Sequence, residues 1–465
     1  MSSQEVNNKP SVAIVGGGLV GSLSAIYFSQ NGWKVSLFER SLDIRDPEVS
    51  KNTKQRSINL ALSHRGIEAL KGIELGLDKL ILDKAVPMKA RMIHDLKGNQ
   101  SSQAYGNKTQ HINSVDRELL NVLLLNELEK LPDTSLYFGY TLKTCDWEAG
   151  KCVFGTTKGE DEAHEFSLIV GADGAHSTVR RQIMRRTRMD YSQNYMEHSY
   201  LEMTIKPKVN EDGSTEYKID PNHLHIWPRR KYMFIALPNQ DHSFTCTLFM
   251  PWDQIEELDT REKVLELFRN DMPDTIDLIG EDNIVDYFFN NPKSPLMYLK
   301  CTPYHFSHRA VLLGDSAHCM VPFYGQGMNC GFEDIVKLFD IFKQLNIDGK
   351  DPQALSNALD EYTKTRHLDV VAICDLALHN YIEMSSSVTD YSYLIRKKIE
   401  TVLHKIMPSR VIPLYTMVSF TSIPYSEVIK RWDNQTKWLK IFQNTTMLAI
   451  LGTGAVAWAK LTKRI

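Results

Sequence analysis

The sequence lacks the features of several specialised protein classes. Lys and Arg total 54 and Asp and Glu total 57, so the formal charge of −3 gives no reason to expect a nucleic-acid partner. The seven cysteines form no Cys-x-x-Cys pair, and no His or Cys spacing is typical of a metal site, so zinc is not expected. The polar start, Met1 to Lys9, is expected to contain no secretory or transit peptide. These absences indicate an intracellular globular protein with reduced, mostly buried thiols.

The amino-terminal segment contains an apolar strand that runs into a glycine-rich turn. Val12 to Val15 is followed by Gly16-Gly17-Gly18-Leu19-Val20-Gly21, which has the GxGxxG spacing. The next apolar run, Lys34 to Phe38, ends at Glu39. A strand, a turn, a helix and an acid in this order predict a dinucleotide-binding unit, whereas a lone GxGxxG would be an ordinary glycine-rich turn.

The glycines and the acid of this motif each have a physical reason to be there. Gly16 permits the tight turn, Gly18 lets the backbone approach a pyrophosphate, and Gly21 lets the helix pack closely on the strand. Glu39 stands where an acid accepts hydrogen bonds from ribose hydroxyls and repels a ribose phosphate. We therefore expect the bound dinucleotide to be FAD or NAD and not NADP.

Two further motifs place aspartates after short apolar runs. Asp173 follows Leu168 to Val170, and Asp315 follows Ala310 to Leu313. Both are expected at the carboxyl ends of strands, where open α/β sheets bind ligands. Taken singly, each aspartate could equally form a turn or cap a helix.

Together the three motifs resemble those of the flavin-dependent aromatic monooxygenases, and the resemblance spans most of the chain. It implies an α/β fold in which a Rossmann-like FAD-binding domain interlocks with an antiparallel-sheet substrate domain, followed by C-terminal helices. It also implies that Asp315 binds the ribityl chain of FAD and that a helix beginning at Gly327-Met328-Asn329 points its positive end at the flavin ring. The remaining FAD contacts implied by the resemblance are Leu19, Val20, Arg40, Arg117, Leu142 and Asp173. For Arg117 the alternative is a surface ion pair.

The segment between the second and third motifs is rich in apolar or alternating runs of strand length. We predict strands at residues 200–205, 223–227, 232–237 and 243–249, forming a sheet that covers the flavin ring. Residues 355–374 and 393–407 show helical periodicity. The predicted FAD-binding domain comprises residues 1–85, 106–190 and 305–370, the substrate domain residues 86–105 and 191–304, and the helical region residues 371–440.

Segments 86–94, 103–106, 379–384 and 406–417 narrow the resemblance to members of the family that act on L-kynurenine. It implies that Arg91, Tyr105, Asn380 and Tyr415 bind the amino-acid end of that substrate. The set is chemically reasonable, since a guanidinium pairs with a carboxylate while phenols and an amide orient it without adding charge. Taken singly, these residues could be a surface arginine, core tyrosines and a helix-capping asparagine.

The implied reaction is hydroxylation of the aniline ring with O2, using bound FAD and NADPH. NADPH is expected to bind only transiently, because the chain carries one dinucleotide fingerprint and that one is assigned to FAD. The cofactor supplies the chemistry, so no metal is needed. Gln326 and Phe323, in the loop before the flavin-facing helix, are the candidates for contacting the substrate ring and carbonyl. His318 is expected to be a structural hydrogen-bonding residue.

Two other functions stay open at this point. The chain could hydroxylate a phenol or quinone precursor, or it could be a non-catalytic FAD-binding protein tethered to a membrane. A flavin halogenase would show a WxWxIP motif, and Ile226-Trp227-Pro228-Arg229 does not match it.

The carboxyl-terminal segment has a distinct composition. Residues 441–459 contain no charge and are flanked by Lys437, Lys440, Lys460, Lys463 and Arg464. About twenty apolar residues suffice to cross a bilayer, so these residues are a candidate membrane anchor. The alternative is an amphipathic or buried final helix. The tail resembles those of outer mitochondrial membrane proteins, which implies a catalytic body that faces the cytosol.

Overall fold

The computed structural model of the protein describes residues 9–49, 59–106, 109–385 and 391–439. The strands of these residues, in chain order, are β1 Ser11–Val15, β2 Lys34–Glu39, β3 Leu60–Leu62, β4 Val86–Met88, β5 Ala90–His94, β6 Gln100–Ala104, β7 Ile112–Val115, β8 Thr134–Phe138, β9 Tyr140–Asp146, β10 Lys151–Thr156, β11 Asp161–Glu165, β12 Leu168–Gly171, β13 Asp190–Ile205, β14 Lys208–Val209, β15 Thr215–Glu216, β16 His223–Arg229, β17 Tyr232–Pro238, β18 Phe244–Pro251, β19 Ser294–Thr302, β20 His305–Phe306 and β21 Ala310–Leu312.

The helices of the same residues are α1 Leu19–Gln30, α2 His64–Lys71, α3 Leu77–Asp83, α4 Arg117–Glu129, α5 Thr178–Met184, α6 Trp252–Glu257, α7 Arg261–Asp271, α8 Asp274–Ile279, α9 Glu281–Asn290, α10 Gly327–Gln344, α11 Pro352–Ser385, α12 Tyr391–Ile406 and α13 Leu414–Phe420. Residues 425–439 are also helical. Short 3-10 turns lie at Gly314–Ser316 and Pro322–Tyr324.

A six-stranded sheet organises the dinucleotide-binding motifs. Its order is β20-β21-β12-β1-β2-β8, and all neighbours are parallel except β20 and β21. β1 lies between β12 and β2, and β12, β1, β2 and β21 run parallel. The glycine turn, Glu39 at the end of β2, Asp173 and Asp315 therefore all lie at or just after the carboxyl ends of strands, on one edge of the sheet. β1 is buried on nearly every residue, as expected for a parallel strand covered on both faces. The prediction of an α/β fold is confirmed.

A second, seven-stranded sheet has the order β19-β13-β18-β17-β16-β5-β6. Its pairs are antiparallel, except that β16 and β5 run parallel. The four strands predicted between residues 200 and 249 all belong to it. Alternate residues of β17 face opposite sides, since side chains of a strand point alternately up and down.

The two faces of this sheet are covered differently. On β17, Phe234 and Ala236 pack into an apolar cluster with Phe268 and Phe288 of helices α7 and α9. Met233, Ile235 and Leu237 face the other way, toward the cavity described below. The helices between residues 252 and 290 were not predicted, and neither was the three-stranded sheet β11-β10-β9.

The carboxyl-terminal part is helical, as predicted. The long helix α11 packs against α10 and the turn at Pro322–Tyr324. Among the residues that the structure describes, no helix is long and apolar enough to cross a membrane. The candidate anchor at residues 441–459 lies outside the described residues. The exact domain boundaries stay a prediction.

Candidate active site

The glycine turn after β1 is shaped by close backbone contacts. Gly16 has a φ of +110°, and a side chain there would collide with the backbone of Ala172. A Cβ on Gly21 would collide with the carbonyl oxygen of Gly16. Both positions therefore require glycine for packing within the protein.

Gly18 differs from these two glycines because a Cβ there would meet nothing within 4 Å. The space beside it is open and belongs to the central cavity of the protein. Gly18 also precedes α1, whose first N–H groups have no partner within the helix. An open space at a helix amino terminus fits the pyrophosphate of a dinucleotide, so the turn passes this test for FAD.

Glu39 lies at the end of β2 and accepts two backbone hydrogen bonds. Its Oε2 accepts from Gly17 N at 2.7 Å and its Oε1 from Ser41 N at 2.9 Å. The carboxylate is thereby held beside the glycine turn. Arg40, the next residue, is exposed. Leu142 is buried in the core on β9 and does not line the cavity.

The two motif aspartates have different surroundings. Asp173 Oδ2 accepts from Thr178 N at 2.6 Å and Val179 N at 3.1 Å, so it holds the first turn of α5. Asp315 instead exposes its carboxyl to the cavity. Its position deep in the protein raises its pKa, and the neighbouring His318 and Arg117 partly offset the effect. Asp173 thus shows the capping alternative, whereas Asp315 is available to a ligand.

Arg117 lines the same cavity at the start of α4. Within the described part of the chain it forms no ion pair shorter than 4 Å, so the surface ion pair considered above is not found there. Asp116 caps the helix, accepting from Leu119 N at 2.9 Å. Arg117 is therefore a cation directed at the cavity.

Helix α10 begins at the cavity, as the third motif predicts. Gly327 and Met328 line it. Asn329 does not, because its side chain is used within the protein: Oδ1 accepts from Ser63 N at 2.9 Å, and Nδ2 donates to Ala61 O at 2.7 Å. Asn329 therefore fixes the neighbouring segment against the amino terminus of α10.

The cavity has a volume of about 310 Å³ and connects the dinucleotide edge to the second sheet. At one end it is lined by Gly18, Leu19, Val20, Arg117, Asp315, Gly327 and Met328. Its walls are the apolar side chains Leu224, Met233, Ile235, Leu237 and Phe249. At the far end lie Arg91, Tyr105, Tyr415 and Met384. A mostly apolar pocket with a few polar groups at its end is typical of a site for a small aromatic ligand.

Arg91 is the charged group at the far end. It lies on β5, and only 3% of its side chain is exposed. Its guanidinium carbon lies 4.6 Å from the ring centre of Tyr415 and 5.9 Å from that of Tyr105. One nitrogen, NH1, pairs with Glu383 Oε1 at 2.9 Å. A fork of several N–H donors can pair with this glutamate and with a ligand carboxylate at the same time.

The tyrosines around Arg91 form a stack. The ring of Tyr415 lies 5.1 Å from Tyr105 and 5.4 Å from Tyr324, and both interplanar angles are 11°. Burial raises the pKa of Tyr105 well above its usual value and also raises that of Tyr415, although Arg91 opposes both shifts. Both phenols therefore stay neutral near pH 7 and offer hydroxyl groups without adding charge.

Three residues predicted to contact the substrate lie in or behind the loop at the cavity wall. Phe323 lines the cavity. Asn380, on α11, donates from Nδ2 to Phe323 O at 2.7 Å, and Gln326 accepts from the hydroxyl of Tyr425 at 3.0 Å. Neither Asn380 nor Gln326 lines the cavity of this structure, so both hold the loop that carries Phe323. Their direct contact with substrate stays a prediction.

His318 belongs to a buried polar network below the cavity. Its Nε2 lies 2.6 Å from Asp334 Oδ2, and Asp334 Oδ1 accepts from Arg366 Nε at 2.8 Å. Together with Cys330, His318 and Asp334 are the described group whose atoms lie close enough to hold a metal ion. Because the carboxylate already binds Arg366, His318 and the backbone of Gly314, this group is better described as a hydrogen-bonded ion-pair network. The expected absence of a metal stays a prediction, and the seven cysteines are buried.

Glu383, Met384 and Tyr425 are three residues near the site to which the sequence analysis gave no role. Met384 lines the cavity, Glu383 pairs with Arg91, and Tyr425 holds Gln326. Glu383 and Met384 lie within the segment 379–384 that carried the resemblance, but an acid on a long helix has no distinguishing local pattern. Tyr425 lies in a segment without a recognisable motif, so no sequence pattern indicated its role.

Comparison with known proteins assigns the family. A family model described as an FAD binding domain matches residues 9–377. The kynurenine 3-monooxygenase of Sus scrofa is 44% identical over 440 residues, which cover 94% of this chain and 89% of the relative. The kynurenine 3-monooxygenase of Saccharomyces cerevisiae is 45% identical over 465 residues, covering 98% and 99%.

Solved structures show the same fold at low identity. A 2-methyl-3-hydroxypyridine-5-carboxylic acid oxygenase matches with a TM-score of 0.62 and 19% identity, covering 83% of this chain and 95% of that one. The p-nitrophenol 4-monooxygenase of Pseudomonas putida matches with a TM-score of 0.64 and 17% identity, covering 86% and 95%. The chain is an FAD-dependent monooxygenase and belongs to the kynurenine 3-monooxygenase family.

Proposed function

We propose that this monooxygenase hydroxylates L-kynurenine to 3-hydroxykynurenine, using O2 and bound FAD with NADPH as the electron donor. The observation that carries the proposal is the placement of Arg91, a buried cation at the far end of an apolar cavity whose other end is formed by the FAD-binding turns. An amino acid with an aniline ring has the matching polarity, with a carboxylate at one end and an aromatic ring at the other.

The residues of the chain would orient the substrate along the cavity. Arg91 binds the carboxylate, and the hydroxyls of Tyr105 and Tyr415 add neutral hydrogen bonds. The ring then lies between the walls formed by β16, β17 and β18, toward Gly327 and Met328. When bound, FAD would supply the redox chemistry that activates O2 for transfer of one oxygen atom to the ring carbon beside the amine.

The cavity walls contribute by excluding water. Met233, Ile235, Leu237 and Phe249 are apolar and line the cavity on the sheet side. Expelling water strengthens the electrostatic contacts inside the cavity and protects reactive intermediates from unproductive decay. Enlarging the cavity at these positions should therefore raise peroxide release relative to product.

NADPH is proposed as a transient visitor. One dinucleotide fingerprint, at Gly16 to Gly21, occurs in the sequence, and Glu39 beside it disfavours a ribose phosphate. The fingerprint is therefore assigned to FAD, and the reductant would bind briefly elsewhere.

Turnover with chosen substrates tests the proposal. Purified holoenzyme should oxidise NADPH rapidly only when L-kynurenine is added, and chromatography with mass spectrometry should detect 3-hydroxykynurenine in amounts close to the NADPH consumed. Simple phenols serve as controls for the alternative substrate class. Stimulation by a phenol alone would favour that alternative, and no stimulation by any aromatic compound would favour a non-catalytic FAD-binding protein.

Membrane association is a separate part of the proposal. Residues 441–459 carry no charge and are flanked by basic residues, and we propose that they anchor the enzyme in the mitochondrial outer membrane with the catalytic body in the cytosol. A chain ending at Lys440 should become soluble and retain FAD, because the FAD motifs lie far upstream. Full-length protein that an alkaline carbonate wash removes from membranes would contradict the anchor.

A further inference from the structure

A second cavity lies beside the end of the central cavity at which FAD is expected to bind. It has a volume of about 660 Å³ and is lined mostly by polar side chains from the start of α4, the end of β13 and the turn between β17 and β18. Asn59 lines both cavities. Its Nδ2 donates to Ser114 Oγ at 3.0 Å, and its Oδ1 accepts from Thr245 Oγ1 at 3.4 Å. Hydrogen-bonding side chains therefore separate the second cavity from the central one.

Glu202 lies on β13 at the boundary between the two cavities. It lines the second cavity and pairs across the sheet with Thr247 of β18, which lines the central cavity. Directly opposite residues of an antiparallel pair have side chains on the same face, with Cβ atoms about 4.5–5.5 Å apart. The Cβ atom of Glu202 is therefore about one strand spacing from a residue of the central cavity.

The carboxyl group of Glu202 is partly buried and is not engaged by the protein. Within the described ranges, no hydrogen bond and no ion pair shorter than 4 Å involves its side chain. Burial raises the pKa of this carboxyl group, and Arg117, which lines the central cavity, partly opposes the shift. Glu202 can therefore hold a proton at a pH at which exposed glutamates have lost theirs. The other charged groups around the second cavity are Lys84, Asp116, Glu118 and Asp241.

The proposed reaction takes up one proton from solvent in each turnover. NADPH gives a hydride, one atom of O2 enters the substrate ring, and the other atom leaves as water. The hydride accounts for one hydrogen of that water, and a proton from solvent accounts for the second. The walls of the central cavity at Met233, Ile235 and Phe249 are apolar, and an apolar wall does not carry a charge. The proton therefore needs a polar route.

We propose that Glu202 is a proton-relay residue, which takes a proton from water in the second cavity and passes it to the central cavity, toward the oxygen atom that leaves as water. Water in the second cavity then protonates the carboxylate again. The inference rests on the proposed function, because the proton count is that of the proposed reaction.

A different role for Glu202 makes different predictions. If its charge only holds Arg117 in place, its loss should weaken FAD binding, and an added acid cannot replace it. If it relays protons, its loss should slow turnover at unchanged FAD content. A small acid that enters the second cavity should then restore the rate.

The test measures kcat and KM for L-kynurenine with the holoenzymes of the wild type and Glu202→Gln at mildly acidic pH. We expect kcat to fall about 10–100-fold in Glu202→Gln, which is the lower part of the range for general acid catalysis because water still delivers some protons. KM should stay the same. Added acetate should restore kcat, whereas trifluoroacetate, which is too strong an acid to carry a proton, should not. Glu197→Gln, an exposed acid on the same strand, is the matched control and should keep the wild-type kcat.

The pH dependence of the wild type gives a second measurement. The protonated acid is the donor, so kcat should be highest below the pKa of Glu202 and fall as the pH rises through it. Because burial raises that pKa, the fall should come at a higher pH than for an exposed glutamate. This fall should be absent in Glu202→Gln. Infrared difference spectra of the two FAD-loaded proteins, taken without substrate, should show the carbonyl band of a protonated carboxyl group in the wild type only.

Several outcomes would overturn the inference. An unchanged kcat in Glu202→Gln would assign Glu202 no role in proton transfer, and a loss of FAD without rescue by acetate would assign it the support of Arg117 alone. If Glu202→Gln does not fold, the wild type still decides, because a kcat that does not fall with rising pH contradicts the relay. Failure of the proposed function is distinguishable, since L-kynurenine would then not stimulate NADPH oxidation by the wild type.

Discussion

The two ends of the cavity are built on different principles. At the dinucleotide edge the backbone forms the site, because Gly16, Gly18 and Gly21 shape the turn within six consecutive residues. At the substrate end side chains form the site. They come from strand β5, the segment after β6, helix α11 and helix α13, which are far apart in the sequence.

This difference explains what each end can tolerate. A turn that requires glycine at particular positions tolerates few substitutions there, because a single added methyl group is enough to disrupt it. A cluster of side chains can lose one hydroxyl group, or have one side chain shortened, and keep part of its function. The two ends should therefore respond separately to mutation, and the following predictions test that separation from the largest effect to the smallest.

The largest effect is expected at Arg91. Replacing it with alanine removes the proposed partner of the substrate carboxylate and breaks the ion pair with Glu383. We expect kcat/KM for L-kynurenine to fall by an amount equivalent to about 2–5 kcal/mol. Bound FAD, measured from the flavin absorbance of purified protein, should be unchanged. An unaltered Michaelis constant, or loss of FAD together with substrate binding, would break the comparison between the two ends.

An intermediate effect is expected at the glycine turn. In Gly18→Ala the new methyl group meets no protein atom, but it projects into the space proposed for the pyrophosphate. Weakening one hydrogen bond to that charged group should cost about 1.5–3 kcal/mol of FAD affinity. The thermal stability of the FAD-free protein should stay the same.

Gly21→Ala sharpens this prediction by acting within the protein. Its methyl group would collide with the carbonyl of Gly16, so the FAD-free protein itself should be destabilised, by about 1–3 kcal/mol. Thermal unfolding of the two FAD-free variants makes the measurement. Equal melting temperatures would show that the turn adjusts and that close packing at Gly21 is unimportant.

The smallest effect is expected for Tyr415→Phe. This change removes one hydroxyl and keeps the ring stacked between Tyr105 and Tyr324. The loss of one neutral hydrogen bond should raise KM for L-kynurenine by an amount equivalent to about 0.5–1.5 kcal/mol, with kcat and FAD content nearly unchanged. Tyr304→Phe, away from the cavity, would provide a comparison for the loss of a buried hydroxyl.

The same difference decides how much could be predicted from the sequence. Strands β1, β2, β12 and β21, the glycine turn, and the positions of Asp173 and Asp315 after their strands follow from local patterns, since each needs only a few neighbouring residues. The antiparallel strands at the cavity wall follow from apolar alternation. The family resemblance then directed attention to Arg91, Tyr105 and Tyr415, which the structure brings together at one end of the cavity.

Other features depend on contacts that no local pattern records. Asp173 and Asp315 look alike in sequence, but the first holds helix α5 and the second faces the cavity. The pairing of Arg91 with Glu383 joins residues that meet only after the second sheet and α11 have packed together. The four helices between residues 252 and 290 were missed because they were considered part of a strand-rich segment. They are short, and their apolar faces are needed only to cover the back of the sheet.

The most direct test of the account is an experimental structure of the holoenzyme with L-kynurenine bound. The account predicts that the substrate carboxylate lies within hydrogen-bond distance of Arg91, with the aniline ring directed toward Gly327 and Met328 beside the flavin. A substrate bound in the reverse orientation, or bound outside the cavity lined by Arg91 and Asp315, would contradict it.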